Sequence, residues 1–396
     1  MKTIAILGTL DTKGEEHSFV AELIHQRGHR TLLIDTGTQG DPTVKPDVSR
    51  SELVGNQAFT DRGEAVAAMA EAAAAFCAKL VVERKIDGIL SLGGGGGTAI
   101  STAAMRALPV GFPKLMVSTL AASESAPVYM GVKDVTMMPS IVDIAGLNRI
   151  SRPILANAAG AISGMAEIAA PASNDNPMIV ASMFGNTTDC VNHAKEILET
   201  AGYEVLVFHA TGTGGRTMES LIESGLVTGV LDLTTTELAD EHVGGILSAG
   251  PARLEAAARA GVPTVIAPGC LDMVNFGEPD SVPKQFAKRK FYHHNPQVTL
   301  MRTSANECCA LGEIMAGKIN RSTGPVKVML PLAGISIISQ PGGPFHDGLA
   351  DEALFNTMKS NLRNDIPVEE FDCAINDTHF AEAAARALLD LMSLAS

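Results

Sequence analysis

The chain from Ile86 to Ala104 reads IDGILSLGGGGGTAISTAA, in which a short apolar strand runs into five glycines and then into a helix. Five consecutive glycines are entropically costly to order, which makes sense where a ligand must approach the main chain closely or where φ must be positive. Bare amides in such a turn form a concavity for an anion, and a flexible linker is the alternative reading. The groups predicted to meet the ligand are the amides of Gly94, Gly95, Gly96 and Gly97 and the hydroxyl of Thr98.

Outward from this turn, strands and helices alternate along the whole chain. In the first half, strands are predicted at Thr3–Gly8, Thr31–Asp35, Ile86–Leu92 and Lys114–Thr119, and helices at Glu15–Arg27, Gly63–Arg84, Thr98–Ala107 and Ile150–Ile168. In the second half, strands are predicted at Met178–Phe184, Glu204–His209, Gly229–Leu233, Thr264–Ala267, Val326–Pro331 and Phe371–Ile375, with a last helix at Phe380–Leu394. This rhythm is typical of doubly wound parallel sheets.

A chain of 396 residues is long for one hydrophobic core and suits two domains. The polar stretch Pro171–Pro177 is bracketed by prolines and cannot extend the preceding helix, so it is predicted to be the linker. The predicted fold is therefore α/β, with two tandem doubly wound (Rossmann-like) domains that have mostly parallel sheets. The domains are expected at residues 1–172, which would bind a nucleotide, and 177–396, which would carry a candidate substrate site.

Composition excludes several classes of partner. The formal net charge is −14 and no long run of Lys or Arg offsets it, so no nucleic-acid partner is expected. The local basic stretch from Lys284 to Lys290 is read as a solvated helix face, with one anionic ligand as the alternative. No apolar run reaches the roughly 20 residues of a membrane span. The N-terminus does not resemble a signal peptide, and six cysteines without paired spacing suit a reducing compartment. A cytoplasmic protein without a membrane partner is expected.

A second turn with phosphate-binding chemistry follows the first strand, over Gly8–Gly14. Amides and the helix dipole favour an anion there, and a capped turn without ligand is the alternative. It is not a Walker A sequence, because Lys13 precedes its glycine. The side chains predicted to contact the ligand are those of Thr9, Asp11, Thr12 and Lys13.

Two further turns lie at the same predicted edge of the sheet. Asp35 ends the second strand, where an acid often accepts hydrogen bonds from ribose hydroxyls, although it could equally cap the next segment. Thr38 follows it, and Thr119 follows the fourth strand. These three residues complete the predicted nucleotide site, in which Mg²⁺ is expected to bridge phosphate oxygens.

Several ordered motifs over essentially the full chain resemble those of one family, the bacterial and fungal uncharacterised proteins related to the ATP-binding N-terminal region of the plant tobamovirus-resistance protein. The resemblance implies ATP binding, two Rossmann-like domains and a homodimer, but no established reaction. The motifs are Gly8–Gly14, the glycine run into Thr98, Gly212–Glu219, Thr234–Glu237, Leu271–Phe276, His294–Pro296 with Met301–Thr303, and Pro331–Ser336.

The second domain offers a further anion site and a group of candidate catalytic residues. Glycine amides and a planar guanidinium could hold a carboxylate or phosphate, and a turn whose arginine pairs with a neighbouring acid is the alternative. The predicted substrate-binding residues are Gly212, Gly214, Gly215, Arg216, Asn295 and Arg302. The candidate catalytic residues are Glu237, Asp240, Asp272 and His294, although each alone is more simply a structural residue.

These residues leave the reaction open. The leading interpretation is an ATP-binding protein. In its more specific form, this protein is an ATP-dependent enzyme that acts on a small anionic or polar metabolite in an interdomain cleft. The alternatives are a lyase, isomerase or dehydrogenase without ATP chemistry, and a nucleotide-responsive sensor or scaffold without catalysis. No zinc-ligand spacing is present, and the identity of any metal ligand stays open.

Overall fold

The structure is a computed structural model that describes residues 1–55, 57, 59–169 and 176–395. Most of the predicted linker, residues 171–175, lies outside the described residues. The chain divides into two compact units, Met1–Ala172 and Ser173–Ser396. The predicted α/β class with two domains and large parallel sheets is confirmed.

Unit 1 contains one parallel sheet of five strands in the order β2-β1-β3-β4-β5. Its strands are β1 Thr3–Gly8, β2 Arg30–Asp35, β3 Gly88–Gly93, β4 Lys114–Ser118 and β5 Thr136–Pro139. Its helices are α1 Leu10–Gln26, α2 Arg50–Val54, α3 Arg62–Val82, α4 Gly95–Arg106, α5 Ala126–Met130 and α6 Ser151–Glu167.

Side chains alternate across the sheet and build two cores in unit 1. Ile4 and Ile6 of β1 pack with α1 and α6 on one face. Ala5 and Leu7 pack with α3 and α4 on the other face. Because successive residues of a strand point to opposite faces, a continuous apolar run such as β1 is what a sheet covered on both sides requires.

Helix α3 also has the length and apolar composition of a membrane span, the one such helix in the described part of the chain. Met69, Ala73, Cys77 and Leu80 of this helix are buried in the core of unit 1. These buried residues recur at helical spacing, so packing on the sheet accounts for one face of the helix.

The strand order in unit 1 reverses beside β1. From β1 the chain moves to β2 on one side and then to β3 on the other. Ligands of open parallel sheets bind at such a switch point, beyond the carboxyl ends of the strands. The turns there are Gly8–Gly14 after β1 and the glycine run after β3.

Unit 2 contains a parallel sheet of six strands in the order β14-β13-β9-β8-β6-β7 and an antiparallel sheet in the order β10-β12-β11. The strands are β6 Met178–Met183, β7 Glu204–His209, β8 Val227–Thr234, β9 Thr264–Gly269, β10 Met273–Phe276, β11 Phe291–Asn295, β12 Val298–Arg302, β13 Val326–Pro331 and β14 Val368–Phe371. The helices are α7 Thr188–Thr200, α8 Thr213–Glu223, α9 Glu237–Val243, α10 Ala256–Ala260, α11 Ala305–Ile319, α12 Gly348–Asn361 and α13 Thr378–Ala395.

Two local predictions for unit 2 need correction. The last strand of the large sheet is Val368–Phe371, so the predicted strand Phe371–Ile375 was placed too late. No strand was predicted between Ala267 and Val326, but His293, His294 and Asn295 belong to β11 and Arg302 belongs to β12. β11 is a short edge strand that pairs with β12 on one side. Most of its side chains face solvent, so its sequence is polar and does not indicate a strand.

Candidate functional site

Helix α4 begins inside the glycine run, one turn earlier than predicted. Gly94 is its N-cap, and the amide of Thr98 donates to the carbonyl of Gly94 at 2.8 Å. The amides of the three residues between them precede the first intrahelical bond and find no acceptor among the described residues. The helix start is open at Gly95, where an added Cβ would meet nothing within 4 Å, whereas a Cβ at Gly96 would lie within 4 Å of the Arg62 and Val66 side chains.

A cavity of about 330 Å³ lies in front of this helix start. It brings together the turns after β1 and β3, as the strand order predicts. Its lining residues are Thr9, Asp11, Thr12, Lys13, Thr38, Gln39, Arg62, Val66, Gly94, Gly95, Gly96, Gly97 and Ile100. Most of the residues predicted to bind the nucleotide therefore share one cavity.

Two cationic side chains line this cavity. Lys13 interrupts α1 with φ −134° and ψ 27°, and its ammonium group donates to the carbonyl of Ile144. Arg62 is the first residue of α3, is exposed, and makes no hydrogen bond or ion pair within the described residues. A Cβ at Gly96 would lie 3.7 Å from Nη2 of Arg62, so the guanidinium lies close to the amides of α4. Arg62 was missed, because nothing in its local sequence marks it.

Two carboxylates brace the turns around the cavity. Asp11 accepts hydrogen bonds from the amides of Gln39 and Gly40 at 3.1 and 3.2 Å. Asp35 accepts from the amides of Leu10 and Gly37 at 3.3 and 2.9 Å. Burial raises the pKa of Asp35, and the nearby Asp11 adds to the rise. One oxygen of each carboxylate is thus engaged in joining the turn after β1 to the turn after β2.

A second cavity, of about 780 Å³, adjoins the first and shares Thr38, Gln39 and Arg62 with it. Asp35, which was predicted to contact a ribose, lines this second cavity. Both apolar and polar side chains line this second cavity, as they do in sites that bind small molecules. Further lining residues are Ser49, Arg50, Ser51, Val54, Phe59, Ala65 and Met69.

The two remaining predicted residues of the nucleotide site differ in exposure. The hydroxyl of Thr98 is buried and lies 2.7 Å from that of Ser118, so it joins α4 to β4 and is not directed at a ligand. This corrects the prediction for Thr98, whose side chain lies beneath the helix start. Thr119 is exposed, and its hydroxyl would lie 3.7 Å from a Cβ at Gly94.

In unit 2 the central charged group is Arg253, which the sequence reading missed. Its guanidinium is wholly buried and forms ion pairs with Asp232 at 2.6 Å, Glu237 at 2.7 Å and Glu219 at 3.2 Å. These carboxylates raise the pKa of Arg253 well above its ordinary value against the opposing effect of burial. The arginine is therefore permanently charged and holds the loops after β7 and β8 together.

Amides of the glycine turn after β7 are already hydrogen-bonded to a carboxylate of the protein. Glu237 accepts hydrogen bonds from the amides of Gly212 and Gly215 at 2.6 and 3.0 Å. A Cβ at Gly215 would lie 2.1 Å from Glu237, and one at Gly214 would lie 1.7 Å from the carbonyl of His209. These glycines are therefore explained by close packing. The predicted substrate-binding turn and the candidate catalytic Glu237 form one internal contact.

Arg216, at the end of this turn, is exposed. It donates to the carbonyl of Ser248 at 3.0 Å and to the hydroxyl of Thr213 at 3.1 Å. The guanidinium is thus held in place by two neutral acceptors and keeps its charge uncompensated on the surface.

The other candidate catalytic acids are buried among their own partners. Asp240 accepts hydrogen bonds from the amide and the side chain of Asn275 at 2.9 and 2.6 Å, and burial raises its pKa to about 7. Asp272 accepts from the hydroxyl of Ser336 at 2.8 Å, and burial raises its pKa to about 6. Neither carboxyl is exposed, so both lack the access to substrate that acid–base catalysis needs.

The remaining predicted residues of unit 2 are the buried Arg302 and the exposed His294 and Asn295. Arg302 is buried and pairs with Asp351 at 2.6 Å, while its Nε donates to the carbonyl of Phe345. His294 and Asn295 are exposed on the edge strand β11. Within the described residues, the exposed His294 and Asn295 and the buried Arg302 therefore have different surroundings.

Comparison with known proteins shows a match over both units. A family model described as the uncharacterised protein family UPF0261, N-terminal domain, matches residues 2–171, and the model of its C-terminal domain matches residues 176–392. A UPF0261 protein of Clostridium tetani is 49% identical, with 99% of each chain covered. The ToMV susceptible protein tm-1(GCR26) of Solanum lycopersicum is 40% identical over 97% of this chain and 55% of its own length. The chain thus spans about half of this tomato relative.

Two solved structures show distant likenesses to this chain. The structure of Staphylococcus aureus MnaA with UDP covers 93% of this chain and 100% of its own at 11% identity and a TM-score of 0.25. A UDP-GlcNAc 2-epimerase of Methanocaldococcus jannaschii covers 67% of this chain and 83% of its own at 12% identity and a TM-score of 0.26. TM-scores this low say nothing about the chemistry of the site.

Proposed function

The chain belongs to the uncharacterised protein family UPF0261, and from that premise we propose that unit 1 is a nucleotide-binding domain that holds ATP by its phosphate groups. One observation carries the proposal. Three unpaired amides at the start of the twelve-residue helix α4 face a cavity that Lys13 and Arg62 also line. Aligned amides and the positive end of a helix dipole favour anions, and two cations strengthen the preference for a polyphosphate.

The second cavity supports a nucleoside in place of a bare phosphate. It adjoins the phosphate cavity and adds Val54, Phe59 and Met69 as an apolar wall for a base. Asp35 is buried but lies on the lining of this cavity, and within the described residues only its Oδ1 accepts hydrogen bonds. Its other oxygen is left to accept a hydrogen bond from a ribose hydroxyl.

Mg²⁺ fits the first cavity as an ion bound mainly by the ligand. Among residues 1–55, 57, 59–169 and 176–395, no group of three or more His, Cys, Asp or Glu side chains forms a metal site. Asp11 lines the cavity, and its Oδ1 has only a 3.4 Å contact with the hydroxyl of Thr12. Mg²⁺ commonly uses one or two carboxylates together with substrate phosphates. Asp11 would be the protein ligand, and the ion would neutralise phosphate charge.

A catalytic role for unit 2 has less support than a responsive role. Glu237, Asp240 and Asp272 are all engaged in buried internal contacts. This observation favours a nucleotide-responsive protein that does not consume ATP. The alternative is an ATP-dependent enzyme that acts on a small anionic metabolite, with the exposed Arg216 as its anion-binding group. A cytoplasmic homodimer belongs to the same proposal.

The test is calorimetric titration of the full chain with ATP and Mg²⁺, using Gly95→Asp and the matched variant Gly95→Ala. A Cβ at Gly95 meets nothing within 4 Å, so both variants are expected to fold. The aspartate places a negative charge on the amides that would bind phosphate, and an acid in the first helical turn does not destabilise the helix. We expect a loss of affinity of at least about tenfold for aspartate, equivalent to about 1.4 kcal/mol, and less than about threefold for alanine.

Equal affinity of the two variants, or a wild type that does not bind, would contradict the proposal. Titration with inorganic triphosphate separates recognition of phosphate from recognition of the nucleoside, which should strengthen binding. Release of ADP during prolonged incubation, with and without a panel of small carboxylates, separates the enzyme from the sensor.

A further inference from the structure

The turn after β1 rests on a buried histidine that no part of the proposed function uses. The His17 side chain is fully buried, and its Nδ1 lies 2.6 Å from the carbonyl oxygen of Lys13. Its Nε2 lies 3.1 Å from the carbonyl oxygen of Leu7. A Cβ at Gly8 would lie 2.4 Å from Nε2, so the ring occupies the space directly against the start of the turn. His17 therefore connects the end of β1 to the residue that interrupts α1.

Both ring nitrogens of His17 face carbonyl oxygens, although a neutral ring can donate to only one of them. A neutral imidazole has one N–H, so one of its nitrogens presents a lone pair to a carbonyl oxygen. An imidazolium would donate to both carbonyls. Burial opposes the charged form and lowers the pKa of His17. The ring thus has carbonyl acceptors for two N–H groups, but its burial disfavours the second proton.

The charges around His17 are few. On α1, Glu16 raises its pKa and Lys13 lowers it. Strands β1 and β3, which pack against α1, carry no titratable side chain. On the other neighbouring elements, the titratable groups are Arg30 and Asp35 of β2 and Arg152 and Glu167 of α6. An anion in the cavity would therefore pair with Lys13, the charge that disfavours the imidazolium, as well as with Arg62.

We propose that His17 is the positioning residue of the anion site and that its ring takes up a proton when a phosphate-bearing ligand binds beside Lys13. The ligand compensates the charge of Lys13 and adds negative charge near the turn, so both changes favour the imidazolium. The charged ring then donates to the carbonyls of Leu7 and Lys13 and fixes the shape of the turn. This inference rests on the proposed function, since it requires an anion in this cavity.

The test is calorimetry of the full chain with ATP and Mg²⁺ at pH 6.5 in two buffers that differ in ionisation enthalpy. The difference in observed enthalpy gives the number of protons taken up on binding. We expect the wild type to take up roughly half a proton more than the His17→Gln variant. Protons exchanged by ATP itself cancel in this comparison.

The matched control is His25→Gln, on the same helix. His25 is exposed, and within the described residues its side chain bonds only to the hydroxyl of Thr31 at 2.8 Å, so its replacement should leave the proton count unchanged. If His17→Gln does not fold, NMR titration of His17 in the wild type gives the same answer, because its pKa should rise when ATP is added. Binding with no difference in proton count and no rise of that pKa would overturn this inference alone. A wild type that does not bind would overturn the proposed function together with it.

Discussion

At the scale of single residues, two arginines of this chain have opposite surroundings. Arg62 lines the phosphate cavity without a partner among the described residues. Arg253 is buried and surrounded by three carboxylates, each of which also accepts other hydrogen bonds. An unpaired cation at a cavity suits ligand binding, whereas a compensated one suits structure.

Arg253→Lys should therefore be strongly destabilising although it keeps the charge. Lysine cannot reproduce the planar fork that reaches Asp232, Glu237 and Glu219 together, so buried carboxylates would lose their partner. We expect the free energy of unfolding to fall by about 3–5 kcal/mol. Urea unfolding followed by circular dichroism measures it.

The control for this prediction is Arg259→Lys. Arg259 is half-exposed and pairs with Glu223 and Glu255 at the surface, so its replacement should cost less than about 1 kcal/mol. An effect of Arg253→Lys no larger than that of the control would show that the buried cluster does not stabilise unit 2.

Residue types at strand ends identified most of the phosphate cavity, including Lys13, but not Arg62 or the supporting His17. The glycines and Thr9, Asp11 and Lys13 follow strands directly, where the parallel topology brings them together. Arg62 reaches the same place from a helix that does not follow β1 or β3, and His17 acts from one turn inside α1. Nothing in local sequence distinguishes such residues from ordinary helix residues.

At the scale of elements, glycine has two opposite uses in helices. Gly160 and Gly164 of α6 would meet nothing within 4 Å if they carried a Cβ. Gly312 of α11 would place a Cβ 2.8 Å from the carbonyl of Leu354 in α12. The first two cost backbone entropy without a packing gain within the described residues, and the third allows two helices to approach closely.

The paired prediction is that Gly160→Ala stabilises the protein and Gly312→Ala destabilises it. Alanine in a helix interior is favoured over glycine by roughly 0.8–1 kcal/mol, and Gly160 has the space to accept it. At Gly312 the added carbon forces α11 and α12 apart, which should cost about 1–3 kcal/mol. Thermal unfolding of the two variants measures both signs. A rise of the midpoint for Gly312→Ala would contradict the packing of this helix pair.

Element prediction succeeded where hydrophobic patterning was strong. The buried strands β1 and β13 and the edge strand β7 begin and end where their apolar runs predict. The antiparallel sheet was missed, because β11 reads FYHHN and β10 is only four residues long. Short strands whose side chains face solvent lack the alternation on which such predictions depend.

At the scale of the whole molecule, each unit carries its own hydrophobic cores. Two clusters cover the two faces of the five-stranded sheet of unit 1. The clusters on the six-stranded sheet use residues of unit 2 alone. The division into two domains was predictable from the length of the chain and from the polar stretch Pro171–Pro177. The place of Arg253 was not, because it reaches the end of β8 from a loop 19 residues further along the chain, where its Nη2 donates to the carbonyl of Thr234.

A fragment of residues 1–172 should therefore fold alone and bind ATP as the full chain does. All residues that line the two cavities fall between Thr9 and Ile100, and the cores beneath them belong to the same unit. We expect an affinity within about threefold of the full chain, a difference below about 0.7 kcal/mol. Calorimetry of the fragment, with circular dichroism to confirm folding, makes the measurement. The complementary fragment 176–396 should not bind ATP, because Glu237 already occupies the amides of its glycine turn. A folded first fragment that has lost its affinity would contradict the assignment of the whole binding site to unit 1.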